Sequence, residues 1–163
     1  MDNEILKVPK ILQAVSLWVH PEGRVTGSIY LREQSPDHAG SETPLEMLNL
    51  GVSFFVFRRD QPDELRFYNI KSVIRVEYAD ETPAKPGNIT QIECHLQMMD
   101  GSYIKGMIRE SLAPDRARLL DYLNRSGEAF IKLHLDDGLV YLINKSYIIN
   151  VHVAGIDGAG SEG

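Results

Sequence analysis

The feature that most constrains this chain is an internal echo. Gly106-Met107-Ile108-Arg109-Glu110 follows the pattern of Gly27-Ser28-Ile29-Tyr30-Leu31-Arg32-Glu33. Leu120-Asp121-Tyr122-Leu123-Asn124 follows Leu45-Glu46-Met47-Leu48-Asn49, and Lys145-Ser146-Tyr147-Ile148 follows Lys71-Ser72-Val73-Ile74. The three echoes keep their order, and their spacing drifts by a few residues, as it does when loops change length. Three matches in order point to a tandem duplication, and a repeat has to be read first because it fixes every later assignment. The expected organisation is a first repeat over residues 1–78, a linker over 79–88, a second repeat over 89–154 and a disordered tail over 155–163. The linker reading rests on Pro83, Pro86 and Gly87 among polar residues, which build no core. The tail reading rests on its glycine-rich, acidic composition.

Within each half the hydrophobic period is mostly two. Val15, Leu17 and Val19 alternate with Ser16 and Trp18, and Ile92, Cys94, Leu96 and Met98 alternate strictly, as half-buried strands do. His20-Pro21-Glu22-Gly23 and Asp100-Gly101 close hairpins. Thr43-Pro44-Leu45-Glu46 opens a helix with a capping box and a proline at the first helical position. Gly51 stops it, and Asn49 and Asn124 read as C-terminal caps. Pro114 opens the matching helix of the second half. Phe54-Phe55-Val56-Phe57 sets four apolar residues in succession, which predicts a strand buried on both faces, or one with a face against the other repeat or a second chain. Leu65–Tyr78 reads as a strand, a bend near Lys71-Ser72 and a second strand. The predicted fold class is α+β, mainly β: two tandem ββαββ repeats forming small, bent antiparallel sheets or barrel-like units.

The glycine-turned hairpin, the second glycine in its return strand and the terminal Lys-Ser-x-Ile strand resemble a small bacterial β-rich repeat family of uncharacterised function. More distantly they are Sm-like. The resemblance covers about 65 residues in each half, and its motifs are structural. In the Sm pattern the helix comes first, whereas here it falls between the hairpin and the later strands.

Size sets a further constraint. Each half of the 163-residue chain is small enough that its own core gives only marginal stability, so the halves are expected to pack on one another or on another chain. The formal net charge is −6, which argues against a nucleic-acid partner, since such binding draws on Lys and Arg. Cys94 is the only cysteine, so there is no intramolecular disulfide and no multi-cysteine metal site. The acidic start, Met-Asp-Asn-Glu-Ile-Leu-Lys, predicts no signal peptide, and no apolar run is long enough to insert in a membrane. A cytoplasmic protein is the expectation.

No catalytic, metal or cofactor motif emerges. Cys94 and His95 are adjacent on a strand and so point to opposite faces, which makes Cys94 a buried thiol rather than a nucleophile. Asp60–Glu64 and Asp136-Asp137 lie where hairpin turns need polar residues. The arginine spacing of a cyclic-dinucleotide-binding PilZ domain is not met by Arg58-Arg59 or by Arg116-x-Arg118. Two function classes follow. The first is a non-enzymatic protein-binding or adaptor module whose partner surface is the aromatic set Phe54, Phe55, Phe57, Phe67 and Tyr68; its partner is another protein or a second copy of the chain. The second is a β-barrel pair sensing a nucleotide or other small anion through Arg32, Arg58 and Arg59.

Overall fold

A computed structural model describes residues 9–80, 89–110 and 116–154 of the chain. The lead-in up to residue 8, linker residues 81–88, the helix opening at Pro114 and the tail over 155–163 lie outside the described residues. The chain divides into two compact units, Met1–Val76 and Glu77–Gly163. Both are mainly β, and the pairings within each are antiparallel.

The first unit begins with the hairpin β1 (Lys10–Val19) and β2 (Gly23–Arg32), paired over their whole length from Lys10 opposite Arg32 to Val19 opposite Gly23. The short helix α1 (Pro44–Leu48) follows, then β3 (Phe54–Arg59), β4 (Glu64–Asn69), a 3-10 turn (Ile70–Ser72) and β5 (Val73–Ala79), which runs across the division between the units. The strands lie in the order β5-β1-β2-β3-β4. Leu17, Ile29, Leu31, Leu48, Phe57 and Val76 are buried.

The second unit runs β6 (Thr90–Met98), β7 (Tyr103–Glu110), α2 (Arg116–Leu123), β8 (Phe130–His134), a 3-10 turn (Asp136–Gly138), β9 (Leu139–Asn144), a 3-10 turn (Lys145–Tyr147) and β10 (Ile148–Val153). Its strand order is β10-β6-β7-β8-β9. Among the described residues each unit therefore contains one strand more than ββαββ. The bend expected near Lys71-Ser72 is a 3-10 turn that separates two strands, as its counterpart does in the second unit, because an asparagine side chain (Asn69, Asn144) accepts a hydrogen bond from the backbone two residues on and competes with the ladder.

The helix signals act as chemistry requires. The Thr43 hydroxyl accepts from the Glu46 N–H at 3.1 Å, and the Glu46 carboxylate accepts from the Thr43 N–H at 2.8 Å. Glu46 does more than cap. Ser35 donates to it at 2.8 Å and His38 Nε2 lies 2.7 Å away, so the polar loop after β2 is tied to the helix start. Glu42, buried in that loop, accepts from the Arg32 N–H.

One of the two burial patterns expected for β3 is not observed. The run Phe54-Phe55-Val56-Phe57 is not buried on both faces: Phe55 and Phe57 are buried, Val56 is half-buried and Phe54 is 56% exposed. The strand alternates as any strand must. In the first unit's order β3 has only the edge strand β4 beyond it, and its second face leaves Phe54 exposed.

Candidate interaction surface

Three aromatic residues build the inner side of the β3–β4 hairpin. Phe57 stands edge-on to Tyr68 with ring centroids 5.5 Å apart, and Phe55 is tilted against the same ring at 6.3 Å. Gly27 makes room for this cluster. A Cβ there would lie 2.1 Å from the Arg58 carbonyl and 2.7 Å from the Phe57 ring, so only glycine lets β2 and β3 approach so closely.

The outer side follows from register. Val56 is opposite Phe67, Arg58 opposite Leu65, and Phe54 opposite Asn69. Directly opposed residues share a face, so Phe54, Val56, Leu65 and Phe67 form one outward apolar patch. Phe54 and Phe67 are diagonal neighbours within it. Phe67 is 66% exposed and Leu65 42% exposed. The connection entering β3 exposes Leu50 and Val52 as well. Patches of this kind on a sheet edge mark interaction sites or aggregation hazards.

The predicted aromatic set is thus divided. Phe55, Phe57 and Tyr68 belong to the core side, while Phe54 and Phe67 remain available to a partner. The period of two separates them, and grouping the residues by sequence proximity had merged the two sides. Val56 and Leu65 join the patch although the sequence reading did not single them out; pairing β3 with β4 through the Asp60–Asp63 turn was the signal that could have found them.

The predicted arginine set is also dispersed. Arg58 points outward, with Nε 3.1 Å from Asp63 and a side-chain hydrogen bond to Tyr30. Arg59 points the other way, bonding Glu22 at 2.6 Å and the Tyr68 hydroxyl at 2.9 Å. Arg32 ends β2. Ser28 is the residue opposite Arg58, so Arg32 lies four residues, about 13 Å, further along that strand. The three guanidiniums do not converge.

In the second unit the sheet brings together groups that the sequence had kept apart. His95 on β6 lies opposite His152 on β10, with ring centroids 5.7 Å apart. His95 Nδ1 is 3.1 Å from the Tyr103 hydroxyl, its Nε2 3.2 Å from Glu93, and Lys105 Nζ 3.4 Å from the same carboxylate. Hydrogen bonds from His95 and Lys105 hold the Glu93 carboxyl below the usual carboxylate range. Among the described residues no group of three or more His, Cys, Asp or Glu has an arrangement that could hold a metal ion. Cys94 is fully buried, and burial raises its thiol to about 11, far from a nucleophile's range. No described helix is long and apolar enough to cross a membrane. No protein-family model, curated protein or solved structure matches this chain.

Proposed function

We propose that the chain is a non-enzymatic protein-binding module built from two duplicated β-rich units, with the outer face of the β3–β4 hairpin as its docking surface. One observation carries the reading. Phe54 and Phe67, the two large aromatic residues of that face, stand in solvent while Phe55, Phe57 and Tyr68 supply the hairpin's core. Large aromatics on an edge hairpin are costly to leave wet and are the residue types that dominate binding surfaces.

Three local features support the duplication. Gly27 and Gly106 each permit a close approach of the following strand: a Cβ on Gly106 would lie 2.6 Å from Leu133, as one on Gly27 would meet Phe57. Asn49 and Asn124 each close a helix by donating their N–H to the carbonyl four residues back, both at 3.0 Å. Asn69 and Asn144 each cap a three-residue 3-10 turn. The last pair sets Lys71 against Ser146, so the Lys-Ser echo in the sequence is one residue out of register with the turns. The anion-sensing alternative is the weaker reading, because Arg58 and Arg59 are already ion-paired and face opposite sides.

Photo-cross-linking tests the proposal. A benzophenone side chain at position 54 or 67 should trap a discrete protein product in the source cell, and one at Leu120, equally exposed on α2, should not. The same product from all three positions, or none from any, overturns the assignment of this face.

A further inference from the structure

We propose that β4 is a self-pairing edge, through which two copies of the chain join antiparallel about a twofold axis at Phe67. The inference rests on the docking-surface reading and names the occupant of that surface: a second copy.

An edge strand that pairs with another chain must be regular, and its side chains must tolerate their new opposites. β4 meets the first condition. It is the last strand in the first unit's order, and its ladder with β3 runs through six consecutive pairs, from Phe54–Asn69 to Arg59–Glu64. The edge strand β10 of the second unit does not meet it, since its register with β6 shifts between Ile148 and Asn150. Irregularities of that kind are among the devices that blunt a sheet edge.

The second condition selects the register. Around a twofold axis, opposed residues must lie on the same face, so the axis must pass through a residue and not between two. An axis at Arg66 would set two like charges directly against each other. One at Leu65 would oppose Glu64 and Arg66 favourably, but it pairs only three strand residues and puts Phe67 against Asp63 of the turn. An axis at Phe67 pairs Leu65 through Asn69. Phe67 then faces Phe67 of the second copy, Leu65 faces Asn69, and Arg66 lies opposite Tyr68. Because Val56 is opposite Phe67 within each chain, the outward apolar rows of the two copies join into one: Val56, Phe67, Phe67, Val56. A two-strand seam is small for a protein interface, so association should be weak and concentration-dependent.

The test is a cysteine placed on the axis. Opposed residues of an antiparallel pair have Cα separations of about 4.5–5.5 Å, within reach of a disulfide. The native Cys94 is buried and will not compete. Under mild oxidation Phe67→Cys should form a covalent dimer about tenfold faster than Leu65→Cys or Asn69→Cys alone. A mixture of Leu65→Cys with Asn69→Cys should also cross-link, because that register places them opposite each other. Sedimentation should show the unmodified chain passing from monomer to dimer with concentration, and Phe67→Glu should remain monomeric with its melting temperature retained. Faster linkage at Leu65, equal linkage at all three positions, or a monomer at every concentration overturns the pairing. The photo-cross-linking result is independent: a foreign product at positions 54 and 67, with no self-linkage, would keep the docking surface and remove the second copy from it.

Discussion

The two units carry the same kind of hairpin after their helix, and they treat it in opposite ways. In β3–β4 one face is buried and the other exposes Phe54, Leu65 and Phe67. In β8–β9 the outward positions Lys132 and His134 are opposite Leu142 and Val140, and those two apolar residues are fully buried. Lys132 is anchored there by Asp80 at 2.7 Å, and the Tyr122 side chain bonds the Lys132 backbone. The double burial that the sequence allows for β3 is found instead at β8–β9, where Phe130 and Ile131 are both buried, as are Leu142 and Ile143. A run of apolar residues therefore does not decide how many faces of a strand are covered. The strand's neighbours decide it, and two similar strings can end as a core and as a surface.

Substitutions along β3 should break this comparison most sharply. Phe57 is fully buried against Tyr68, so Phe57→Ala should cost about 3–5 kcal/mol, most of the stability of a small unit. Phe54→Ser, three residues away on the other face, should change stability by under ~0.5 kcal/mol while removing association. Denaturant melts and sedimentation on both variants measure the two quantities. Similar losses of stability from both would mean that the outer face is packed in solution.

A smaller effect separates the two glycines. An alanine at position 27 would meet the Arg58 carbonyl, a backbone atom that cannot swing away, whereas at position 106 the nearest contact is the Leu133 side chain. Gly27→Ala should cost at least the 1–3 kcal/mol typical of overpacking, and Gly106→Ala should cost less, because its nearest backbone atom, the His134 carbonyl, would lie 3.0 Å away and the buried Leu133 side chain can repack in part. Equal thermal shifts for the two would show that the second unit's strands are as tightly fixed as the first's.

Much of this architecture was legible in the sequence, because local chemistry dictated it. The β1–β2 and β6–β7 alternations, the Asp100-Gly101 turn and the Thr43–Glu46 capping box each depend on neighbours within a few residues. What was not legible depends on partners far along the chain. Nothing near Phe54 says that its strand has only an edge strand beyond it, and nothing near His95 says that His152 will lie opposite. The candidate surface was half legible for the same reason: residue type identified aromatic positions, but only the pairing of β3 with β4 sorted Phe54 and Phe67 from Phe55, Phe57 and Tyr68. The arginines failed as a group because adjacent strand residues diverge. The anchoring of the Arg32–Ser41 loop by Glu46 was also missed, since a capping glutamate has spare acceptor capacity that the capping pattern does not reveal.

Glu46 itself gives the next prediction. Thr43→Ala removes one arm of the capping box and should cost about 1 kcal/mol. Because Glu46 also holds Ser35 and His38, Glu46→Ala should additionally expose the loop to protease. A nick rate for Glu46→Ala no higher than for Thr43→Ala would mean that the loop is held by Glu42 alone.

The smallest effects are in pH, and they should resolve the units from each other. In the second unit burial comes first, followed by the nearby charges of Lys132 and Arg109, in pushing His134 down from 6.5 to about 4. Its unfolded form therefore takes up a proton before the folded form does, so stability is lost as pH falls from about 6.5 to about 4. In the first unit burial works to raise Glu46, but hydrogen bonds from the Thr43 N–H, His38 and Ser35 outweigh it and hold the carboxyl at about 2 instead of 4.5. The stability Glu46 contributes is complete above about 4.5 and is lost as pH falls towards 2. His38, raised by the Ala39 carbonyl and by Glu46, acts in the opposite sense: its contribution is full below 6.5 and fades as pH rises through its folded value. Acidification from neutrality should thus loosen the second unit first, while the Glu46–His38 contact of the first unit strengthens. Amide exchange followed by NMR would show protection near Lys132–His134 falling between about pH 6.5 and 4.5, before protection around Thr43–Leu48 changes. His134→Gln should abolish the earlier step, which we expect at roughly 1 kcal/mol once partial solvent exposure is allowed for. If both regions lose protection together at every pH, the two units unfold as one, and the contrast between their hairpins is a difference of surface alone.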